Sequence, residues 1–507
     1  MNIKNIKTYI LSGILALSMS SCLDKYPEDS IRMDEAINTV DDMDKLVYGI
    51  YDSFKSSALY SGNLTILPDL QADFVYCVKG YSNAYGDIYR WKDIKATNTD
   101  IESVYGALYG VINNANFLLD NVDKVKANTN SDQELDKLEQ YQGEAYFARA
   151  LAYSELIKCF CKAYDSDEQA EKELGVVLTE HYYGNEPQKR ASLKESYDFV
   201  LRDLDKAAEY LKVDEDFTGT LYDEIYFNEY ACHALRARVS LYMHRWDDAI
   251  KYASKVINSK YYVLASCTQK IGNTSYYQYQ WTAGKSTEGI WKVGFTVNSY
   301  GGALGTIFDN FNYVSYRPDY VPETWVINSF DSNDLRAAAI FTTRTTGYEH
   351  GLQWPLLSKY FGDAEFLNNN ILHVHQPMVF RLSEQYLIRA EAYAMNGEYG
   401  KAGKDISTLR TARYSSYGGN TSMSDESSAM KIIEAERVKE LYMEGFRLND
   451  LKRWHKGFER KAADQPAANF VQSSLKVEKD DPLFVWPIPQ HELEAPGSEI
   501  QPNESNK

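Results

Sequence analysis

Two short stretches carry most of the side chains that could engage a ligand. "KGYSNAYGDIYRWKD", residues 79–93, sets Tyr81, Tyr85, Tyr89 and Trp91 among Asn83, Asp87 and Arg90. "SYYQYQWTAG", residues 275–284, sets Tyr276, Tyr277, Tyr279 and Trp281 beside Gln278 and Gln280. Flat rings stack on weakly polar C–H faces, while amides, carboxylates and guanidinium groups exchange hydrogen bonds with hydroxyls. A sugar ring offers both surfaces at once, so this mixture on exposed loops suits a polyhydroxylated ligand. The signal belongs to regions more than to single residues, because alternate side chains of an extended segment face inward and pack beneath it. The expected ligand contacts are Tyr81, Asn83, Tyr85, Trp91, Tyr276, Tyr279 and Trp281, with Tyr85, Trp91, Tyr279 and Trp281 foremost.

Other residues with chemical potential read as structural. Glu440 and Glu444 lie one helical turn apart, Arg447 is within reach of Glu444, and Asp450 can pair with Arg453 across the next turn. Basic neighbours would keep both glutamates ionised, which argues against a general acid and base pair. "HVH" at 373–375 would set His373 and His375 on one side of a strand, with no third ligand nearby. "YGGALG", 300–305, lacks the flanking strand, helix and acidic partner of a dinucleotide-binding turn. No nucleophile elbow, metalloprotease helix or kinase signature occurs. No catalytic residue, metal or cofactor is therefore expected, and the chain is not read as an enzyme.

Cys22 invites a different chemistry. Lys4 and Lys7, the apolar run Tyr9 to Leu17 and the small residues Ser18 to Ser21 form the three parts of an export signal, too short to span a bilayer. A cysteine directly after such a site resembles a bacterial lipobox, in which the thiol is diacylated and becomes the first residue. Residues 1–21 are thus expected to be a lipoprotein signal peptide and Cys22 the lipid anchor. At about 0.8 kcal/mol per buried methylene, more than one acyl chain would make that attachment stable.

Composition narrows the partners. Asp plus Glu number 72 against 54 for Lys plus Arg, a net charge of -18, which repels phosphate backbones and excludes nucleic acid as a natural partner. No later stretch reaches the length of a spanning helix, so the body is expected to be held to a membrane only at its end. Cys77, Cys159, Cys161, Cys232 and Cys267 are too sparse for a disulfide framework. Cys159 and Cys161 point to nearly opposite helix faces and read as small buried hydrophobes. Tyrosine, at 41 residues, is abundant, and most of these rings are expected to fill helix cores.

The elements that must position the two aromatic stretches are helices. Periodicity predicts them over 39–57, 98–124, 132–164, 192–211, 226–245 and 246–257, with Ala145, Ala148 and Ala152 offering a close-packing face. "LRARVSLYMHRWDDAIKYA" from 235 superposes on "IRAEAYAMNGEYGKAGKDI" from 388 when Arg236 is set against Arg389. Ala237 then meets Ala390, Trp246 meets Tyr399 and Ala249 meets Ala402. This spacing resembles a tetratricopeptide hairpin, in which alanines let two helices approach closely. Helices 132–164 and 192–211 could form a less regular hairpin of the same kind. Residues 60–97 and 262–375 lack long helical periods, and irregular segments of that length usually carry function. A polar loop from 413 to 430 precedes a further helix beginning "KIIEAERVKELYMEG".

Three C-terminal stretches, "RLSEQYLIRAEAYAMNGEYGKA", "EAERVKELYMEGFRLNDLKRW" and "WPIPQHELEAPGSEIQPN", resemble in order the signatures of the SusD/RagB family of Bacteroidetes outer-membrane lipoproteins. "GEAYFARALAYSELIKCF", "NNANFLL" at 113–119, and Asp24, Glu28 and Asp29 after the cysteine are similar to that family's first repeat helix, preceding helix end and start. The resemblance implies a mainly α fold from 22 to 507. Its tetratricopeptide-like scaffold would span about 39–258 and 378–456, with loop-rich insertions at 60–97 and 262–375 forming the ligand-binding part. It implies a surface-exposed, lipid-anchored protein that captures a glycan for a SusC-like TonB-dependent outer-membrane transporter. The alternatives are peptide capture, as on the RagB side of the family, and a tetratricopeptide scaffold that binds only proteins. A peptide binder would present backbone-pairing edges and charged pockets, whereas these loops carry mostly neutral aromatics.

Overall fold

The computed structural model describes residues 36–183, 188–213, 225–348, 351, 353–461 and 474–507. Residues 1–21, Cys22, Asp24, Glu28 and Asp29 lie outside the described residues. The chain is mainly helical, and its strands pair two by two in antiparallel ladders. Helix α1 (Val40–Ser53) starts at a capping box in which Thr39 and Asp42 satisfy each other's backbone N–H groups, and buries Val40, Met43, Val47 and Ile50 at helical spacing. A second helix, α2 (Asn63–Gln71), is buried along its whole length and leads to strand β1 (Val75–Cys77). The first part of the 60–97 region is therefore core, and its loop character is confined to residues after β1. Asp69 of α2 accepts the Gly445 N–H at 2.9 Å and the Arg447 N–H at 2.7 Å, joining α2 to the distant C-terminal part of the chain.

Three long helices follow: α3 (Thr99–Asn128), α4 (Asp132–Phe160) and α5 (Leu193–Tyr210). Ala145, Ala148 and Ala152 are fully buried, and α4 packs against both α3 and α5. A side chain at Gly143 would meet Tyr210 Cβ at 2.7 Å, so glycine sets the approach of α4 and α5. Arg149 ties the three together: Nε donates to Asp203 at 2.6 Å and Nη1 to Asn116 at 2.7 Å.

Helices α6 (Glu229–Tyr242) and α7 (Trp246–Asn258) form the next hairpin. The middle of the chain then supplies α8 (Tyr276–Thr282), β2 (Gly289–Lys292), β3 (Tyr320–Pro322), α9 (Arg336–Ile340) and the hairpin β4 (Phe341–Thr345) and β5 (Gln353–Leu357). Strand β6 (Met378–Arg381) pairs with β2, Phe380 opposite Trp291, and runs directly into α10 (Leu382–Met395). Helices α11 (Tyr399–Arg413), α12 (Glu426–Glu440) and α13 (Arg447–Arg453) complete the scaffold. The internal repeat is visible in space. Helices α6 and α10 are both 14 residues long, α7 and α11 begin at Trp246 and Tyr399, and Ala237, Ala249, Ala390 and Ala402 are all fully buried. The two hairpins adjoin through α7 and α10.

A buried ionic network joins this scaffold to the irregular middle. Arg381 donates to Glu288 at 2.6 Å, Glu440 at 3.0 Å and Glu444 at 2.8 Å, and Arg413 donates to Glu288 and Glu440, each at 2.8 Å. Arg336 spans Asp334, Glu436 and Glu440. Burial alone would raise the Glu440 carboxyl, but Arg413, Arg381 and Arg336 hold it well below the usual carboxylate range. Asp450 pairs with Arg453 as expected, at 2.9 Å. Arg447 does not reach Glu444. Helix α12 ends at Glu440, and a turn with Met443 and Gly445 in the left-handed region aims Glu444 at Lys359 and Arg381. Arg447 pairs instead with Asp73 at 2.8 Å and Glu434 at 3.1 Å.

The two histidines of "HVH" are not on a strand. His373 has φ +65° and accepts the Phe311 N–H at Nε2, 3.0 Å away, while His375 Nδ1 lies 2.5 Å from Asp363. No group of three or more His, Cys, Asp or Glu that could hold a metal occurs among the described residues. The cysteines at 77, 159, 161, 232 and 267 are unpaired and buried. No helix among the described residues is long and apolar enough to cross a membrane.

Candidate functional site

The loop at 79–93 is rooted in β1, which pairs with β3 in the register Val75 opposite Pro322 and Cys77 opposite Tyr320. Beyond that root Gly80, Asn83, Tyr85, Trp91 and Asp93 all have φ between +52° and +90°. This region costs an ordinary L-residue about 1–2 kcal/mol, so the surroundings must hold Tyr85 and Trp91 in it, as at many binding sites. Arg90 is the hub of those surroundings. Its Nη1 donates to the Tyr81 hydroxyl and to Asn83 Oδ1, both at 2.6 Å, and its Nη2 donates to Asp87 at 2.9 Å. A Cβ on Gly86 would fall 2.2 Å from Asn83 Oδ1 and 2.5 Å from Arg90 Nη1, so a side chain there would displace one of these two groups.

The Tyr81 hydroxyl also donates to Asn83 Oδ1 at 2.9 Å, which leaves that carbonyl filled. Asn83 is exposed and, among the described residues, its Nδ2 makes no bond. Partial burial pushes the Tyr81 and Tyr85 hydroxyls up in pKa, so both stay protonated and can donate. The loop thus presents two half-buried phenol rings beside an amide donor in fixed positions. Trp91 is placed differently. Its Nε1 donates to the Gln71 carbonyl at 2.5 Å, and its ring lies edge-on to Phe458 and Phe484, with centroids 5.6 and 5.2 Å away. That ring is half-buried and serves as the floor of the loop.

The loop is pinned to the middle of the chain. Ser82 donates through its backbone N–H at 2.6 Å and its hydroxyl at 2.7 Å to Asp319, and the Tyr320 hydroxyl donates to the Ala84 carbonyl at 2.6 Å. Tyr348 packs against Gly80 and donates to the Pro318 carbonyl at 2.8 Å. The same segment, "DNFNYVSYRPDY" at 309–320, carries a turn that sequence reasoning did not single out. Asn312 Oδ1 accepts from the Val314 and Ser315 N–H groups, and this turn lifts Tyr313 (59 % exposed) and Val314 (88 % exposed) into solvent. Phe311 stacks on Tyr316 beneath it at 4.5 Å. Its alternation of Asn with aromatics was a usable signal, but it lacks tryptophan and lay within a long irregular region.

Residues 275–284 go elsewhere. The Ser275 hydroxyl accepts the Gln278 N–H at 3.1 Å and starts α8, whose period turns Tyr277, Gln280 and Trp281 inward and leaves Tyr276 and Tyr279 half-buried. Trp281 is 1 % exposed: Lys359 Nζ sits 3.9 Å over its ring, and Tyr360 and His375 close its sides. Arg413 lies 4.5 Å over Tyr277. Trp281 therefore offers no face to solvent, contrary to its expected place among the stacking rings. Tyr81 and Asn83 share Arg90 as a partner and Tyr81 also meets Tyr320, whereas α8 draws on α9, the 358–360 turn and the ionic network.

Residues 343–503 match the SusD family, and residues 22–241 match a family described as starch-binding and associating with the outer membrane. Among solved structures, the chain is similar to a SusD superfamily protein from Bacteroides thetaiotaomicron, at 23 % identity over 92 % of this chain and 99 % of that one, TM-score 0.76. A putative sugar binding protein from Bacteroides vulgatus is 23 % identical over 93 % of this chain and its own full length, TM-score 0.75. Surface glycan-binding protein A from Bacteroides fluxus is 20 % identical over 92 % of this chain and all of that one, TM-score 0.67. At these identities the likeness to solved structures is one of fold. No curated protein matches the sequence.

Proposed function

Because the chain belongs to the SusD/RagB family, we propose that it is a cell-surface glycan-binding lipoprotein that captures an oligo- or polysaccharide and passes it to a SusC-like TonB-dependent outer-membrane transporter. Residues 22–507 act as one unit, anchored through the acylated Cys22, and the protein binds its ligand without transforming it. The observation that carries this reading is the loop at 79–93. Its backbone is held in unfavourable conformations by Arg90 and Asp319, and it sets Tyr81, Tyr85 and the Nδ2 donor of Asn83 in fixed positions at the surface. Rings for C–H faces and a fixed donor for a hydroxyl are what a saccharide needs, and a pre-shaped loop lowers the ordering cost of binding. Tyr313, and the exposed parts of Tyr276 and Tyr279, are further ring surfaces available to a long glycan.

Affinity electrophoresis against a panel of plant, microbial and mucin polysaccharides tests the proposal. At least one should retard the protein, and Tyr81→Ala combined with Asn83→Ala should abolish the retardation while far-UV circular dichroism shows the fold retained. Failure of every glycan, together with tight binding of oligopeptides, would overturn it. The anchor is tested separately: Cys22→Ala should prevent incorporation of a labelled fatty acid and release the protein from the membrane fraction.

A further inference from the structure

A cleft of about 570 Å³ opens between α1, residues 225–226 and the chain leaving β2 at 293–296, and none of its described lining residues belongs to the loop at 79–93 or to 309–320. Helix α1 builds one wall because it carries two stripes. Val40, Met43, Val47 and Ile50 face the core, whereas Tyr48, Tyr51 and Asp52, with Lys55 just past the helix end, face the cleft. Tyr48 is 56 % exposed and Tyr226, on the opposite wall, 46 %. Tyr51 stacks on Phe227 at 4.6 Å and stands edge-on to Tyr226 at 5.6 Å. The floor is Trp291, whose Nε1 donates to the Ile225 carbonyl at 3.2 Å and fixes that wall. Among the described lining residues polar groups are few: an Asp52–Lys55 ion pair at 3.1 Å, Thr296 and Gln376.

Three features point to a ligand. Grouped exposed tyrosines are unusual on a surface with no task. Gly49 stands mid-helix on the cleft wall, where glycine weakens a helix, yet a Cβ there would touch nothing within 4 Å. Packing does not require this glycine, and its missing side chain keeps the cleft open. The volume falls within the roughly 300–1,000 Å³ of small-molecule sites, and rings with a few polar groups are their usual lining. The charges of Asp52 and Lys55 cancel, which favours a neutral ligand over an ionic one.

We propose that this cleft is a second saccharide site, taking a short neutral oligosaccharide whose ring faces stack on Tyr48 and Tyr226. The inference rests on the glycan-binding reading but assigns a surface separate from the 79–93 loop. The test is saturation-transfer NMR on the detergent-solubilised full chain with maltose, cellobiose, lactose and N-acetyllactosamine as probes. At least one should receive transfer. Tyr48→Ala combined with Tyr226→Ala, and independently the cleft-filling Gly49→Phe, should weaken its Kd by about tenfold or more. The cleft variants should still be retarded by polysaccharide. Tyr48 and Tyr226 are exposed enough that their variant keeps its fold if Gly49→Phe does not. Polysaccharide retardation without transfer from any of the four disaccharides overturns the cleft while leaving the glycan reading intact. A Kd unchanged in both cleft variants also overturns it, and the absence of polysaccharide and disaccharide binding alike in the wild type overturns both.

Discussion

Around Arg90 a cation paired within its own loop shapes that loop against solvent, whereas around Trp281 Lys359 and Arg381 close a core. Both regions combine tyrosines and a tryptophan with charged or amide neighbours, and the difference lies in what interrupts the rings. Between residues 79 and 93, Gly80 and Asn83 hold helical structure to the single turn Gly86–Tyr89, and Arg90 finds acceptors within the loop itself. Between 275 and 284 the rings of Tyr277 and Trp281 fall four apart, so one helical turn carries both to the same side. That side is met by cations already paired to buried glutamates. An aromatic cluster becomes surface or core according to whether its cations are satisfied locally or by a distant network.

Four measurements would break or sharpen this contrast. The largest effect is expected from Trp281→Ala, which opens a cavity beneath Lys359 and should cost about 3–5 kcal/mol in chemical denaturation. A loss under 1 kcal/mol would place that ring with the ligand-facing set after all. The next concerns Asp69, whose carboxyl burial pushes up to about 7 against two backbone N–H donors. Between about pH 4 and 7 the folded chain then holds a proton that the unfolded chain releases, so stability should fall as pH rises through this window. Asp69→Asn should flatten that slope in pH-dependent urea melts. Arg90→Ala leaves Tyr81, Asn83 and Asp87 without their shared donor and should cost about 1–2 kcal/mol, with most of the polysaccharide retardation lost. Retention of full binding would show that the loop needs no hub. The smallest effect is Gly49→Ala, which should stabilise by about 0.5–1 kcal/mol, since a Cβ there meets nothing and helix propensity rises.

Much of the scaffold was legible. The small-residue face of α4 and the repeat from Leu235 and Ile388 are local or periodic signals, and α1, α4, α5 and α6 start within about three residues of expectation. The aromatic loop was legible as a region. What could not be read was pairing across long separations: Ser82 with Asp319, Arg447 with Asp73 and Glu434, and Arg381 with Glu288 and Glu440. The cleft beside Tyr48 was equally hidden, because its walls come from residues 48–55, 225–226, 291–296 and Gln376.

By itself, then, the sequence determined the helical class, the internal repeat, the family and the places where rings and amides gather. Those properties depend on neighbours a few residues apart, and spacing encodes them directly. Only the tertiary structure decided which rings meet solvent. Burial of Trp281 beneath Lys359 and the pinning of the Tyr81 loop by Asp319 and Tyr320 are set by partners tens to hundreds of residues away, and the free energy of closing those contacts belongs to the whole chain, not to any one stretch of it.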